Sequence, residues 1–78
     1  MINLSTVLGN IVKSIVDNPD KVVITEHVEG DEVLLTLTVA EEDVGIVIGK
    51  HGKIAKAMRT VMKTVAKVDN RKVIVEIK

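Results

Sequence analysis

The feature that most constrains the fold of this chain is a pair of glycines, Gly49 and Gly52, that enclose Lys50 and His51. A short apolar segment precedes the pair, and a long segment with apolar residues at helical spacing follows it. This order predicts a sharp turn at the start of a basic helix. Backbone N–H groups in such a turn, together with the helix dipole, can receive a phosphate. The plainer alternative is a turn whose glycines only tighten the connection between two helices.

Composition limits the size and the class of the fold. The chain has 78 residues, of which 46% are hydrophobic, so we expect one small folded domain over residues 1–78. It has no Cys for disulfides or a thiolate zinc site, and no aromatic ring on which RNA bases could stack. The first residues resemble neither a signal peptide nor a membrane span. We therefore expect a cytoplasmic protein that associates with no membrane and needs no metal or other cofactor.

The net charge of zero conceals two halves of opposite sign. Up to Gly49 the chain has two basic and nine acidic residues, which gives a net charge of −7. From Lys50 onward it has nine basic and two acidic residues, a net charge of +7. Such asymmetry predicts a polyanionic partner for the second half. The alternative is that the two halves attract each other within the fold.

The first helix is predicted from apolar residues at helical spacing. These residues are Leu4, Leu8, Ile11 and Ile15. Asn3 or Ser5 can cap its start, and the turn residues at 17–20 end the pattern. Three valines widen the apolar face beyond what packing on one small sheet needs, which leaves part of it for a partner. They are Val7, Val12 and Val16.

Strand patterns occupy three further segments. Segments 21–29 and 33–39 are rich in β-branched or alternating apolar residues and predict a hairpin that turns at 29–31. Segment 73–77 predicts the last strand. The acidic run at 41–43 is placed to interact with the dipole of a short helix that ends at residue 48.

The longest helical pattern runs from Gly52 to Val68. Its apolar face is predicted to contain Ile54, Met58, Val61, Met62 and Val65. Its opposite face, an arc of about 120°, contains Lys53, Lys56, Arg59, Lys63 and Lys67. The far part of this basic face fits either a solvated surface or a contact with nucleic acid. The helix pair forms a crossover long enough to make the second and third strands parallel.

Residues 44–54 have the sequence V-G-I-V-I-G-K-H-G-K-I. This segment resembles the signature of KH domains, which join a short apolar-rich helix to a G-x-x-G loop with an apolar residue shortly after it. The extra helix and strand precede the core, as in type II KH domains, and the chain is similar throughout to small bacterial KhpA-type RNA-binding proteins. The resemblance implies an α+β, type II KH fold in the order α-β-β-α-α-β. Its three-stranded mixed sheet would have three helices packed on one face.

The resemblance also implies that the chain binds single-stranded RNA, with the loop clamping about four nucleotides. Gly49 and Gly52 would let the phosphate backbone come close, while Lys50 supplies charge and His51 a hydrogen-bond donor. Apolar side chains beside the loop would carry the bases, and further cations would extend the positive field. The apolar residues are Ile46, Ile48 and Ile54, and the cations are Lys53, Lys56 and Arg71. Gly45 is expected to allow close packing of its helix.

By the same resemblance, the protein would act in post-transcriptional regulation or RNA chaperoning. Its partners would be a second copy or a larger, Jag-type KH-containing RNA-binding protein. The alternative is a protein-interaction or dimerisation module without RNA affinity of its own. Catalysis is not expected, because the sequence contains neither a nucleotide-binding loop nor a nucleophile–base pattern. Two histidines in distant segments do not predict a metal site.

Overall fold

The computed structural model describes residues 2–78 and places three helices and three strands there, in the predicted order. They are α1 (Leu4–Lys13), β1 (Val23–Glu29), β2 (Glu32–Thr38), α2 (Val44–Ile48), α3 (Lys53–Val68) and β3 (Lys72–Ile77). Short 3₁₀ turns at Pro19–Lys21 and Glu41–Asp43 precede β1 and α2. None of the helices in this range is long and apolar enough to cross a lipid bilayer.

The three strands form one mixed sheet in the order β1-β2-β3. β1 and β2 are an antiparallel hairpin, and its turn contains Gly30 at a φ of +61°. β3 returns parallel to β2, as the crossover of α2 and α3 requires. The predicted mixed sheet is therefore confirmed, and both β1 and β3 present a free edge.

The helices cover one face of the sheet, and the core lies between the two layers. Alternate residues of β2 and β3 point inward, whereas their neighbours lie on the open outer face. The inward set is Val33, Leu35, Leu37, Val73 and Val75. It packs against Leu4, Leu8 and Val12 of α1, Val47 of α2, and Met58 and Met62 of α3. The predicted α+β arrangement with helices on one face is confirmed.

α1 is shorter than its apolar pattern predicted. Asn3 caps it, since its side chain accepts a hydrogen bond from the Thr6 amide at 3.1 Å. The helix ends at Lys13, so the helical spacing does not carry on to Ile15. Ile15 is 40% exposed and Val16 is buried in its place, which corrects the expectation that Ile15 belongs to the inner face.

α3 buries a different stripe from the one predicted. Met58 and Met62 face the sheet as expected, but Val61 is 46% exposed. The buried stripe is completed by Ala55 and Ala66, small residues that the search for large apolar side chains passed over. At about 100° per residue, Val61 lies about 100° around the helix from the centre of this stripe. The assignment of Val61 to the core was therefore wrong.

Asp43 ties the start of α2 to the connection between α1 and β1. Its side chain is fully buried and accepts hydrogen bonds from the amides of Asp17, at 3.3 Å, and Asn18, at 3.0 Å. The Asn18 side-chain amide donates to it as well, at 3.1 Å. The sequence predicted only an acidic residue near a helix dipole, whereas the structure gives Asp43 a long-range structural contact.

The loop between α3 and β3 holds the start of the chain. The Ile2 amide donates to Asp69 Oδ2 at 2.6 Å, and Arg71 Nη2 donates to the Ile2 carbonyl oxygen and to Asp69 Oδ2. The hydrogen bond from Ile2, followed by the hydrogen bond and charge of Arg71, lowers the pKa of Asp69 from its ordinary value. This contact fixes the loop that precedes β3.

Candidate nucleic-acid interface

Residues 49–52, the GKHG loop, form the predicted sharp turn between α2 and α3. Gly49 and Gly52 both have a φ of +74°, and His51 between them has a φ of +57°. The Gly49 amide ends α2 by donating to the Gly45 carbonyl at 2.9 Å, and the Gly52 amide donates to the Gly49 carbonyl at 3.2 Å. Three of the four residues therefore have a positive φ, and His51 and Gly52 have the left-handed conformation.

The two glycines serve different physical purposes. A Cβ on Gly49 would lie 2.9 Å from the backbone nitrogen of Ile54, which is closer than real Cβ atoms approach. A Cβ on Gly52 would meet no atom within 4 Å. Gly49 is therefore required by packing inside the protein. Gly52 is favoured by its backbone conformation and faces open space.

The loop presents hydrogen-bond donors to solvent. Among residues 2–78, neither the Lys50 amide nor the His51 amide donates to another residue. Both side chains are exposed as well. Two free amides, one ammonium group and one imidazole are therefore available to an anion at this loop.

The outer face of α2 is apolar and has a gap at its centre. Ile46 and Ile48 are partly exposed on either side of Gly45, while Val47 points into the core. A Cβ on Gly45 would meet no atom within 4 Å, so Gly45 allows no close helix packing and that expectation was wrong. Gly45 instead leaves a notch, which we call the α2 notch, with an isoleucine on each side. A glycine flanked by apolar residues in a helix is a signal that could have predicted this notch.

Ile54 lies on α3 under the loop, where its side chain packs against Gly49. Val61 and Val68 follow it at intervals of seven residues, and all three are partly exposed. That spacing places them on one flank of α3, within about 20° of drift per interval. The structure thus brings Ile54 together with the loop, and its contact with RNA stays a prediction.

The exposed cations of α3 form a continuous row that starts at the loop. The basic row consists of Lys53, Lys56, Arg59, Lys63 and Lys67, spaced by three or four residues. Within residues 2–78, the ion pairs closer than 4.0 Å are His27 with Glu29 and Asp69 with Arg71. Neither pair joins the acidic half of the chain to the basic half. The positive charge of the row is therefore not neutralised by direct pairing.

Arg59 connects the basic row to the free edge of the sheet. Its Nε donates to the Val75 carbonyl oxygen of β3 at 3.2 Å. A small pocket lies between α3 and this edge, and Lys63, Val73 and Ile74 line it together with Arg59. The sequence placed Arg59 on a basic face but gave no sign of a bond to β3, because the two residues are far apart in the chain.

Unlike the other predicted site residues, Arg71 makes its contacts with the start of the chain and with the loop before β3. Its side chain is 11% exposed and is held by Asp69 and by the Ile2 carbonyl oxygen. An RNA phosphate would have to replace these partners, so its role in RNA binding stays a prediction. A contact between residues 69 positions apart leaves no local signal in the sequence.

Comparison with known proteins identifies relatives over nearly the whole chain. A family model described as "KhpA/KhpB, KH domain" matches residues 5–77. RNA-binding protein KhpA of Clostridium acetobutylicum is 49% identical over 95% of this chain and 99% of its own length. The protein of that name from Clostridium perfringens is 51% identical over 86% of this chain and 89% of its own. That of Chlamydia trachomatis is 44% identical over 90% of each chain.

Proposed function

Since the chain belongs to the KhpA/KhpB family of KH domains, we propose that it is an RNA-binding protein that clamps a single strand at the GKHG loop. The clamp would hold about four nucleotides, the stretch that such a loop engages. The relatives are named RNA-binding proteins, and this supports the same activity here. The proposed role is binding rather than catalysis, in the cytoplasm.

One observation carries the proposal: unpaired donors and an apolar notch belong to the same short helix and the loop that follows it. Among the described residues 2–78, the Lys50 and His51 amides have no acceptor at the C-terminal end of α2, and the α2 notch lies on the outer face of that helix. Phosphates need charged and amide donors, whereas bases need apolar surfaces. A single strand offers both phosphates and bases, and α2 with its loop supplies both kinds of contact.

The proposed contacts divide between backbone and bases. The phosphates approach the loop at Gly52, where no side chain intervenes, and accept hydrogen bonds from the amides and side chains of Lys50 and His51. Lys53 and Lys56 add positive charge at the start of α3. Bases lie in the α2 notch against Ile46 and Ile48, and Ile54 supports the loop from below.

We also propose that the protein pairs with a second copy or with a larger KH-containing protein of the Jag type. The exposed flank of Ile54, Val61 and Val68 on α3 supports this, because an unpartnered apolar row on a small protein is costly to leave in water. Pairing would link two weak RNA sites and raise the overall affinity.

Crosslinking in cells tests the proposed function. The protein should carry its tag at exposed Lys78, because the Ile2 backbone is held by Asp69 and Arg71. After ultraviolet crosslinking, we expect short single-stranded RNA fragments whose crosslinks map to residues 45–56. Recovery of a salt-sensitive protein complex without RNA would instead support a protein-interaction module.

A further inference from the structure

The edge of the sheet opposite β3 is β1, and part of its backbone has no partner. The hairpin closes through a two-residue turn, Gly30 and Asp31, on the facing pair Glu29 and Glu32. In such a hairpin the closing pair exchanges hydrogen bonds, so every second residue of β1 turns its N–H and C=O groups away from β2. These residues are Ile24, Glu26 and Val28. Within residues 2–78 their backbone groups bond to no loop or helix, so they can receive a further strand.

The side chains of the same three residues point toward the helices, yet α1 does not cover them all. Each faces a buried residue of β2 across the hairpin. Ile24 is packed against the core close to α1, where a Cβ on Gly9 would lie 3.5 Å from its Cδ1. Val28, however, is 55% exposed, and Glu26 is exposed as well. Residues on the core side of a sheet that remain in water indicate a gap between α1 and β1.

This gap is a groove with two parts along β1. The first part, about 260 Å³, lies at the start of the strand, where Ile24 and the polar side of α1 line it and Lys13 supplies a charge. The second part, about 450 Å³, lies at the end of the strand, where Ile2 and Val28 supply apolar surface. The other residues that line the second part are Asn3, Glu26, Gly30, Asp31, Asp69 and Arg71.

The second part of the groove is acidic. Its lining side chains include three carboxylates and one guanidinium, a net charge of −2. Arg71 is bonded to Asp69 and to the Ile2 carbonyl oxygen, so its charge is already matched. Glu26 and Asp31 have no ion-pair partner within 4.0 Å in the described part of the chain. A lysine or arginine side chain fits this space, because its stem can rest on the apolar lining while its charged end reaches the two carboxylates.

The charge of β1 disfavours a second copy of this strand as the occupant of the edge. The strand has the sequence V-I-T-E-H-V-E, with two glutamates and neither lysine nor arginine. If two copies of β1 paired antiparallel about their centres, Glu26 of one copy would face Glu26 of the other, and like charges in that position destabilise a sheet. A basic strand meets no such repulsion. The charge of Glu26 therefore discriminates between the two occupants.

We infer that β1 is a docking site for an extended, basic segment of another protein, which adds to the sheet as a fourth strand. Its backbone bonds to the free groups of Ile24, Glu26 and Val28, and one of its lysine or arginine side chains enters the second part of the groove. In this mode of recognition, main-chain hydrogen bonds supply affinity and alternate side chains supply specificity. The inference goes beyond RNA binding, since this edge of the sheet is the one opposite β3.

An NMR titration with a synthetic peptide tests this inference. The probe is the peptide T-K-V-R-V-K-T with blocked ends, which matches the length of β1 and places its cations on one side of the added strand. We expect the amides of Ile24, Glu26 and Val28 to shift and to exchange more slowly with solvent when the peptide is added. Glu26→Lys should weaken binding about fivefold or more, because it reverses a charge that faces the peptide. The matched control is Glu29→Lys, the same change on the outer face of the same strand, and it should weaken binding less than about twofold.

Three results would overturn the inference. The first is an equal loss of affinity in Glu26→Lys and Glu29→Lys, which would show that the peptide responds to net charge alone. The second is unchanged exchange of the three edge amides at about 1 mM peptide, a concentration that half-saturates a site with a Kd of about 1 mM. The third is slow exchange of these amides in concentrated protein without peptide, which would show that a second copy occupies β1. None of these results bears on RNA binding at the GKHG loop.

Discussion

Ile54 occupies the space that any side chain at Gly49 would need. A Cβ on Gly49 would lie 2.8 Å from the Ile54 Cβ and 2.9 Å from its backbone nitrogen. Because α3 begins at Lys53, this contact fixes the direction in which the loop leaves α2. Gly52, at the other end of the loop, has the same φ of +74° but faces open space. The loop thus has one glycine for packing and one for access.

The two glycines should respond differently to alanine. Gly52→Ala is expected to cost about 1–2 kcal/mol, the strain of a left-handed conformation in a residue with a Cβ. Gly49→Ala should cost clearly more, since the ψ of 176° at Gly49 places it in a region that is essentially restricted to glycine, and the added Cβ would also clash with Ile54. Urea unfolding followed by far-ultraviolet circular dichroism measures both, because the chain has no Trp or Tyr. Equal losses would show that Ile54 moves aside at no cost.

Gly45→Ala is expected to stabilise the protein and weaken RNA binding. A methyl group there meets no atom, and alanine in a helix is favoured over glycine by about 0.5–1 kcal/mol. The same methyl group enters the α2 notch, and Gly45→Leu should fill it. Displacing one base should then weaken RNA binding several-fold, because the apolar surface of Ile46 and Ile48 that the base covers would return to water.

A matched control for Gly45 exists in α1. An added Cβ at Gly9 would lie 3.5 Å from Ile24 Cδ1, an ordinary contact, so Gly9→Ala should also be tolerated. We expect Gly9→Ala to leave RNA affinity unchanged in a titration with labelled RNA. If Gly45→Leu binds RNA as tightly as Gly9→Ala, bases do not lie in the notch.

Asp43→Ala should destabilise the fold by about 1–3 kcal/mol, because it leaves the Asp17 and Asn18 amides without their acceptor. Glu41→Ala is the control, since Glu41 is acidic, exposed and two residues away. Urea unfolding compares the two variants. A free energy of unfolding that is the same for both would contradict the anchoring role of Asp43.

The contact between Asp69 and the start of the chain predicts an acid-sensitive contribution to stability. Hydrogen bonds from Ile2 and Arg71 lower the pKa of Asp69 in the folded protein, whereas an unfolded Asp titrates near about 3.9. The contribution is therefore complete above the unfolded pKa and is lost as the pH falls below about 4 toward the folded pKa. Asp69→Asn should reduce the free energy of unfolding more at pH 7 than at pH 3.

The control for this pH dependence is Glu41→Gln, which removes an exposed carboxylate that makes no ion pair among residues 2–78. Its effect on unfolding should change little between the two pH values. A loss for Asp69→Asn that is identical at both values would show that the contact does not depend on the charge of Asp69.

Local patterns predicted the elements and their order well, because alternation and helical spacing report which side of each element faces the core. They failed where burial depends on distant neighbours. Ile15 and Val61 fit the helical spacing, yet both are partly exposed. Ile15 lies beyond the end of α1, and α3 packs on the sheet through a face that contains two alanines and not Val61. Alanines that face a sheet are easily missed when a buried face is predicted from the positions of large apolar residues.

The candidate site shows the same division. The turn at the GKHG loop followed from its glycines, since left-handed conformations are a local property. Arg71 contacts a residue 69 positions away, and Asp43 contacts residues about 25 positions away. No spacing in a single sequence indicates such contacts. Whether Arg71 was free to meet RNA could therefore not be predicted.

If the GKHG loop holds the RNA backbone, a double substitution that makes the loop acidic should repel the phosphates. Lys50→Asp with His51→Asp replaces both donors with acids, and Asp tolerates the left-handed conformation at position 51. The control, Asn10→Asp with Lys21→Asp, makes the same change in net charge at exposed positions outside the loop. Circular dichroism checks that both variants keep the fold.

The measurement is the affinity for a labelled single-stranded RNA at one fixed salt concentration. We expect the loop variant to bind at least about tenfold more weakly than the control, which corresponds to one charge-assisted hydrogen bond of about 1.5 kcal/mol. A folded loop variant that binds RNA as tightly as the control would show that the GKHG loop does not hold the RNA backbone.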